Sequence, residues 1–110
     1  MQITTRSSGR IAIIELEGRF DANTIAPVKQ QLERASEGGL VIVNLSGVHF
    51  VDSAGLSALI SALKRCRQAG GDLHLSNLQQ PVRIIFELTK LQRAFETFDT
   101  EAEAVTAFSS

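Results

Sequence analysis

The chain has 110 residues, 44% of them hydrophobic, which is enough to bury one continuous core, so we expect a single domain over residues 1–110. The 11 Lys and Arg against 12 Asp and Glu give a formal net charge of -1 with no long run of one sign, which argues against a nucleic-acid partner. No apolar stretch approaches the roughly 20 residues that span a membrane, and the N-terminus does not resemble a signal peptide, so we expect a cytoplasmic protein without membrane insertion.

Two extended segments are predicted at the start of the chain. Residues 2–5 and 10–17 flank the turn-prone sequence Ser7-Ser8-Gly9, which predicts a β-hairpin. The alternation of apolar residues in the second segment changes face between Ile13 and Ile14. Such a change requires either a β-bulge or burial on both faces of the strand, and the pattern is compatible with both.

A first helix and a central strand follow. Polar residues after the second strand supply N-cap candidates, and Pro27 must lie in the first turn, so the helix is predicted to begin near Asn23 or Thr24. Its apolar face consists of Ile25, Val28, Leu32 and Ala35. Gly38-Gly39 ends the helix, and the uninterrupted apolar run over residues 40–43 predicts a strand covered on both faces, as a central parallel strand is.

The clearest helical pattern of the chain runs from Ser53 to about Gln68. Apolar residues recur there with the spacing i, i+3, i+4 and i+7, and Gly70-Gly71 marks the end of the helix. A short strand with alternating Leu73 and Leu75 is predicted next.

Two further helices and an edge strand complete the prediction. Pro81 begins a third helix that ends near Thr89. Its inward-facing residues are predicted to be Val82, Ile85, Phe86 and Leu88. Residues 95–98 favour an edge strand, and Thr100 with Glu103 forms a capping box ahead of a fourth helix. Together these elements predict a mixed α/β fold with a four- to five-stranded sheet, about four helices, an opening hairpin and central parallel strands.

The segment between the central strand and the second helix holds the candidate functional residues. We expect residues 46–55 to form a loop at the carboxyl end of a parallel strand, where sites in α/β sheets collect. Asp52 is the expected N-cap, with its carboxylate accepting a hydrogen bond from the N–H of Ala54 or Gly55. Ser53 then occupies the first helical position, with its hydroxyl pointing outward and open to modification.

A phosphate on Ser53 would meet two opposing effects. The positive end of the helix dipole and the free N–H groups favour it, whereas the carboxylates of Asp52 and Asp21 repel it. On the residues alone, ordinary helix capping is the commoner explanation for such a motif.

Five segments occur in a specific order and spacing over nearly the whole chain. They are Gly18-Arg19-Phe20-Asp21, Val43-Asn44-Leu45-Ser46-Gly47-Val48, Asp52-Ser53-Ala54-Gly55-Leu56, Gly70-Gly71-Asp72-Leu73 and Pro81-Val82. In this arrangement the chain resembles the STAS domain, a family named for sulphate transporters and anti-sigma factor antagonists. The resemblance implies a STAS-like fold and phosphorylation of the serine in the Asp-Ser-x-Gly motif, which is Ser53 here. It also implies that Asp21, Asp52, Ala54 and Gly55 surround the phosphorylated hydroxyl.

The resemblance further implies a partner switch in a bacterial transcription pathway. An unphosphorylated domain of this kind binds an anti-sigma factor that is itself a serine kinase, and a sigma factor is freed. Phosphorylation ends the binding until a phosphatase acts on Ser53. A phosphate carries about -1.5 to -2 charges at neutral pH, which is enough to disrupt a packed interface on a nearly neutral domain.

Two other classes of function are weighed against this switch. The first is a STAS subunit of a larger assembly, such as a stressosome-type scaffold or the partner of a lipid-transport ATPase. The second is an enzyme with Ser53 as its nucleophile, which we do not expect, because the Gly-x-Ser-x-Gly elbow and a convincing histidine base are both lacking.

Small residues on the second helix are the candidate partner-binding residues. Ser57, Ala58 and Ser61 form a face that either admits a partner closely or packs against the neighbouring helix. Many antagonists carry glycine in place of Ser57, and the serine side chain keeps a partner farther from the helix. The single Cys66 excludes an internal disulfide, and no His or Cys pair has the spacing of a zinc site, so we expect no metal and no cofactor.

Overall fold

One mixed β-sheet and four α-helices are formed within residues 1–109, the part of the chain that this computed structural model describes; Ser110, the last residue of the predicted domain, lies outside the described residues. The five strands are β1 (Gln2–Ser8), β2 (Ile11–Phe20), β3 (Leu40–Val51), β4 (Asp72–Ser76) and β5 (Glu96–Phe98). The helices are α1 (Ile25–Ser36), α2 (Ser53–Gln68), α3 (Gln80–Leu88) and α4 (Glu101–Ala107), and a short 3₁₀ helix covers Leu91–Arg93. The strands lie in the order β1-β2-β3-β4-β5, with β1 and β2 antiparallel and each later pair parallel. The predicted α/β fold is confirmed.

The opening hairpin turns later than the sequence suggested. Ser7 and Ser8 pair with β2 residues in the ladder, so the turn consists of Gly9 and Arg10 alone. Gly9 has a φ of 59°, the left-handed conformation that favours glycine in a two-residue hairpin turn. The predicted hairpin is confirmed. The predicted turn over Ser7-Ser8-Gly9 was wrong for the two serines, because a two-residue turn leaves both of them in β1, paired with β2.

The central strands are covered on both faces over their first residues, which explains the change of pattern in β2. Ile14 lies in the main core with residues of α1, α2 and α3, whereas Ile13 lies in a smaller cluster with residues of α4. In β3, Val41 and Val43 face the main core and Ile42 faces the smaller cluster. Because successive strand residues point to opposite faces, the uninterrupted apolar run marks a strand covered on both sides, as predicted.

β3 continues much farther than predicted. The strand ends at Val51, so only Asp52 separates it from α2. The predicted loop over residues 46–55 was therefore wrong over most of its length. A polar serine, a glycine and an exposed histidine interrupt the apolar pattern of the strand, so the pattern no longer marks it as extended.

Two shifts of register in the β2–β3 ladder account for that interruption. Four residue steps along β2, from Glu15 to Arg19, lie beside six steps along β3, from Asn44 to Phe50. Each β-bulge resets the side-chain alternation of the strand. Gly47 lies at the first shift, where an added Cβ would come within 2.9 Å of the Cα atom of Glu17, which it pairs with. Only glycine lets the two backbones approach this closely.

The starts of α1 and α2 agree with the sequence. Thr24 is the N-cap of α1 and Pro27 lies in its first turn, and α2 spans Ser53–Gln68. The Thr24 hydroxyl does not cap its own helix. It donates a hydrogen bond to the carbonyl oxygen of Arg19 over 2.7 Å, which ties the start of α1 to the end of β2.

One inward-facing residue of α3 was predicted wrongly. Val82 and Phe86 are buried and Ile85 is half-buried, but Leu88 is 76% exposed. Leu88 follows Phe86 by two residues, which places it about 200° around the helix and therefore on the solvent side.

α4 covers only part of the second face of the sheet. Its predicted cap is confirmed, since the N–H of Glu103 donates to the Thr100 hydroxyl over 3.2 Å. The helix rests on the buried ring of His74, which stacks on Phe108 with 3.7 Å between ring centroids and donates from Nδ1 to the carbonyl oxygen of Ala104. The same face remains open to solvent at the carboxyl ends of β2 and β3.

Candidate functional site

The carboxyl ends of β2 and β3 bring the predicted site residues together. Phe20 pairs with Val51, and the N–H of Asp52 donates to the carbonyl oxygen of Phe20 over 3.2 Å. The chain then enters the β2–α1 connection at Asp21 and α2 at Ser53. Two segments that are about 30 residues apart in the sequence therefore meet at one edge of the sheet, as parallel strands require.

Asp52 links these two segments through its side chain. One carboxylate oxygen accepts a hydrogen bond from the N–H of Gly55 over 3.1 Å, which confirms the predicted N-cap of α2. The other accepts from the N–H of Ala22 over 3.0 Å, in the β2–α1 connection. The N–H of Gly55 most strongly, and that of Ala22 after it, hold the pKa of Asp52 below its usual range against the opposing effect of desolvation.

Replacing Asp52 should make the protein less stable at neutral pH and less sensitive to acid. A carboxyl group whose folded-state pKa is lowered stabilises the protein above its unfolded pKa, about 3.9, and this contribution is lost as the pH falls through the folded value. We therefore expect Asp52→Ala to lower the urea midpoint at pH 7 and to approach the parent protein as the pH falls below the folded-state pKa of Asp52. Asp52→Asn keeps one oxygen acceptor, so its urea midpoint at pH 7 should lie between those of Asp52→Ala and the parent protein. An unchanged midpoint for Asp52→Ala at pH 7 would contradict the bridging role.

Asp21 is held beside this cap by its own connection. Its side chain is 13% exposed, one oxygen accepts from the N–H of Asn23 over 3.0 Å, and the other accepts from Nε of Arg19 over 3.2 Å. Because Ala22 follows Asp21 directly and bonds to Asp52, the two carboxylates predicted around the phosphorylated hydroxyl lie in adjoining parts of the site.

Ser53 is the first residue of α2 and is exposed. Within residues 1–109 its hydroxyl has no hydrogen-bond partner, so the oxygen is open to solvent as predicted. Ala54 is half-buried beside it and Gly55 is buried. An added Cβ on Gly55 would lie 2.8 Å from the carbonyl oxygen of Phe20, so the first turn of α2 sits directly on the end of β2.

The predicted partner-binding residues of α2 divide between surface and interior. Ser57 and Ser61 are exposed, whereas Ala58 is only 7% exposed and packs in the core. All three line a shallow groove between α1 and α2, which starts beside Ser53. The groove is lined by Ile25, Lys29, Ala54, Ser57, Ala58 and Ser61. The small residues thus serve helix packing at Ala58 and leave surface for a partner at the two serines.

A contact between two side chains on the open face of the sheet was not predicted from the sequence. Arg19 and Phe50 are paired residues of β2 and β3, and the Arg19 guanidinium lies 3.9 Å from the centroid of the Phe50 ring. Phe50 is 37% exposed, unusual for so large an apolar side chain. The stack carries no local signal in the sequence, because it depends on the pairing of Arg19 with Phe50 across β2 and β3.

Other chemical groups of the described residues do not join this site. Within residues 1–109 no three His, Cys, Asp or Glu side chains are grouped as a metal ion would need. In the same part of the chain, none of the helices combines the length and apolar character needed to cross a bilayer. Cys66 is buried in α2, and desolvation first and the negative charge of Asp72 second raise the pKa of its thiol to about 11, so it is an unreactive thiol at neutral pH.

The chain is similar in sequence and in fold to known proteins over nearly its whole length. The STAS domain family matches residues 2–104. An anti-sigma-B factor antagonist of Listeria monocytogenes is 32% identical over 105 residues, which cover 94% of this chain and 91% of the relative. An anti-sigma factor antagonist of Mycobacterium paratuberculosis has the same fold, with a TM-score of 0.89 at 21% identity over 99% of this chain and 94% of the other. The phosphorylated form of the Bacillus cell fate determinant SpoIIAA also shares the fold, with a TM-score of 0.74 at 20% identity over 96% of this chain and 98% of the other. The chain therefore belongs to the STAS domain family and, within it, is similar to the anti-sigma factor antagonists.

Proposed function

We propose that the protein is an anti-sigma factor antagonist controlled by phosphorylation of Ser53. In the unphosphorylated state it binds an anti-sigma factor with serine kinase activity and thereby frees a sigma factor. The kinase ends this binding by phosphorylating Ser53, and a phosphatase restores it. The observation that carries the proposal is the exposed hydroxyl of Ser53 at the first residue of α2, next to the capping carboxylate of Asp52. The protein would act in the cytoplasm by binding rather than by catalysis.

The likeness to named relatives supports the same role. The Listeria relative is named as an antagonist of an anti-sigma factor, and it matches this chain over nearly its whole length. SpoIIAA is a protein of the same fold that exists in a phosphorylated and an unphosphorylated form. A phosphorylation switch is therefore compatible with the fold.

The surroundings of Ser53 fit a switch that acts through an interface. The serine directly precedes Ala54, which lines the groove between α1 and α2 together with the exposed Ser57 and Ser61. A partner that covers both the groove and the adjoining start of α2 would also cover the Ser53 hydroxyl. A phosphate there would place about -1.5 to -2 charges in that contact, on a domain with a formal net charge of -1.

The acceptor can be tested with the protein and a candidate anti-sigma kinase encoded beside it. Incubation with ATP should add one phosphate, measured by intact-mass spectrometry, and Ser53→Ala should abolish the addition. Ser7→Ala is the matched control, because Ser7 is exposed on β1 at the opposite end of the sheet, and this variant should still accept one phosphate. Phosphate on the Ser53→Ala variant would contradict the assignment.

A further inference from the structure

Arg19 is the basic side chain that contacts the acidic part of the site. Its Nε donates to Asp21 over 3.2 Å, and the carbon of its guanidinium lies over the Phe50 ring, 3.9 Å from the ring centroid. The side chain is nevertheless 65% exposed. The stack on Phe50 and the single bond to Asp21 therefore direct the guanidinium without burying it.

The terminal nitrogens of Arg19 remain available for another acceptor. Within residues 1–109 only Nε of this side chain donates a hydrogen bond. The guanidinium presents its donors as a rigid fork that matches the oxygens of a phosphate, and such charge-assisted bonds are among the strongest in proteins. The two free Nη groups are the part of the fork that a phosphate would use.

The hydrogen bonds that the carboxylates of the site already accept explain why a cationic ligand would help to hold the phosphate. Both oxygens of Asp52 already accept backbone N–H groups, and the bond from Gly55 removes one donor that the start of α2 could offer to a phosphate. A phosphate on Ser53 would thus add negative charge beside Asp52 and Asp21 with one helix-terminal donor already occupied. A nearby cation would offset that repulsion.

The strand register places Arg19 close enough to act. Arg19 pairs with Phe50, and Ser53 follows Phe50 by three residues. β3 ends at Val51, so with strands about 4.8 Å apart and a rise of at most about 3.3 Å per residue, the Cα atoms of Arg19 and Ser53 are expected within roughly 11 Å of each other. The side chains of an arginine and a phosphoserine, extended towards each other, span such a distance.

We propose that Arg19 is the cationic ligand of the phosphate on Ser53, which its terminal nitrogens bind when the side chain extends along the edge of the sheet towards Ser53. This inference rests on the proposed function, since it assumes that Ser53 carries a phosphate. It adds a specific side chain to the switch: the phosphate is drawn across the edge of the sheet towards the open face of β2 and β3. In the phosphorylated protein the terminal nitrogens of Arg19 are then occupied, whereas in the unphosphorylated protein only Nε is bonded, to Asp21.

The experiment uses phosphoserine introduced at position 53 during translation, so that it does not depend on any kinase. The second pKa of the phosphate is read from the ³¹P chemical shift as a function of pH; in an exposed phosphoserine it is about 6. A bound guanidinium favours the dianion, so Arg19→Ala should raise this pKa by about 0.5 units, and Arg19→Lys should raise it less. The Nε–H signal of Arg19 should also shift when phosphoserine replaces Ser53.

Other charged groups face the same phosphate and provide the controls. Asp21 and Asp52 are present in every variant, and Lys29 lines the neighbouring groove on α1. Arg10→Ala, at an exposed position in the hairpin turn at the far end of β2, should change the pKa by less than about 0.1 units, and Lys29→Ala should change it less than Arg19→Ala does. An equal pKa with and without Arg19, or a larger change in Lys29→Ala, would overturn the assignment. Failure of a kinase to phosphorylate Ser53 would instead count against the proposed function alone.

Discussion

Replacing Gly55 by alanine is expected to lower the free energy of unfolding by about 2 kcal/mol, although alanine is the better helix former. The added Cβ would lie 2.7 Å from a methyl carbon of Val51 and 2.8 Å from the carbonyl oxygen of Phe20. The carbonyl belongs to the backbone of β2 and accepts a hydrogen bond from Asp52, so it cannot move freely. The first turn of α2 must therefore shift, and the loss should be measured by urea unfolding at pH 7.

Gly38→Ala is the matched control for this substitution. Gly38 follows α1, its φ is not in the left-handed region, and the nearest atom to an added Cβ is a carbonyl oxygen at 3.8 Å. The variant should be as stable as the parent or slightly more so, because alanine restricts the unfolded chain. If Gly55→Ala behaved like Gly38→Ala, the close contact between α2 and the end of β2 would not be a constraint on the helix start.

Phosphoserine at position 53 is expected to weaken binding of the anti-sigma kinase at least 100-fold, or about 2.8 kcal/mol. The phosphate would have to lose water in an interface that, in the unphosphorylated complex, accommodates a neutral hydroxyl. Isothermal titration of the kinase with the Ser53 and phosphoserine-53 proteins measures the difference. Backbone amide spectra of the free domain should change only near Ser53 and Arg19, since the phosphate acts on the interface and not on the fold.

Phosphoserine at Ser7 tests whether the effect depends on position. Ser7 is exposed on β1 and pairs with Ala12, at the end of the sheet opposite to Ser53. The same charge there should change the affinity less than about threefold, because exposed charges farther apart than a Debye length of about 8 Å are largely screened. Equal losses at both positions would mean that net charge, and not the interface around α2, governs binding.

Local sequence signals predicted the elements that depend on local chemistry. The start of α2 follows from a capping aspartate and a helical apolar period, and both are contained in one segment. The hairpin follows from Gly9, and the start of α1 follows from the requirement that Pro27 lie in the first turn. Leu88 was placed wrongly because its apolar character was taken as a sign of burial, whereas its position around α3 points it to solvent.

Only those features of the site that depend on residues adjacent in the sequence were predicted. The roles of Asp52 as N-cap and of Ser53 as an exposed residue depend on neighbours in the chain. The bond from Ala22 to Asp52 and the stack of Arg19 on Phe50 depend on which residues of β2 and β3 lie side by side. That register is set by two β-bulges, which carry no distinct pattern in a single sequence.

The unequal lengths of β2 and β3 also make the site sensitive to deletions. Between Asn44 and Phe50, β3 uses two more residues than the facing part of β2. Loss of one of them would turn every later side chain of β3 to the opposite face, so that Val51 would leave the core and Phe50 would enter it. Loss of both would restore the facing directions but straighten the strand. We therefore expect single-residue deletions in this segment to be far less tolerated than substitutions at its exposed positions.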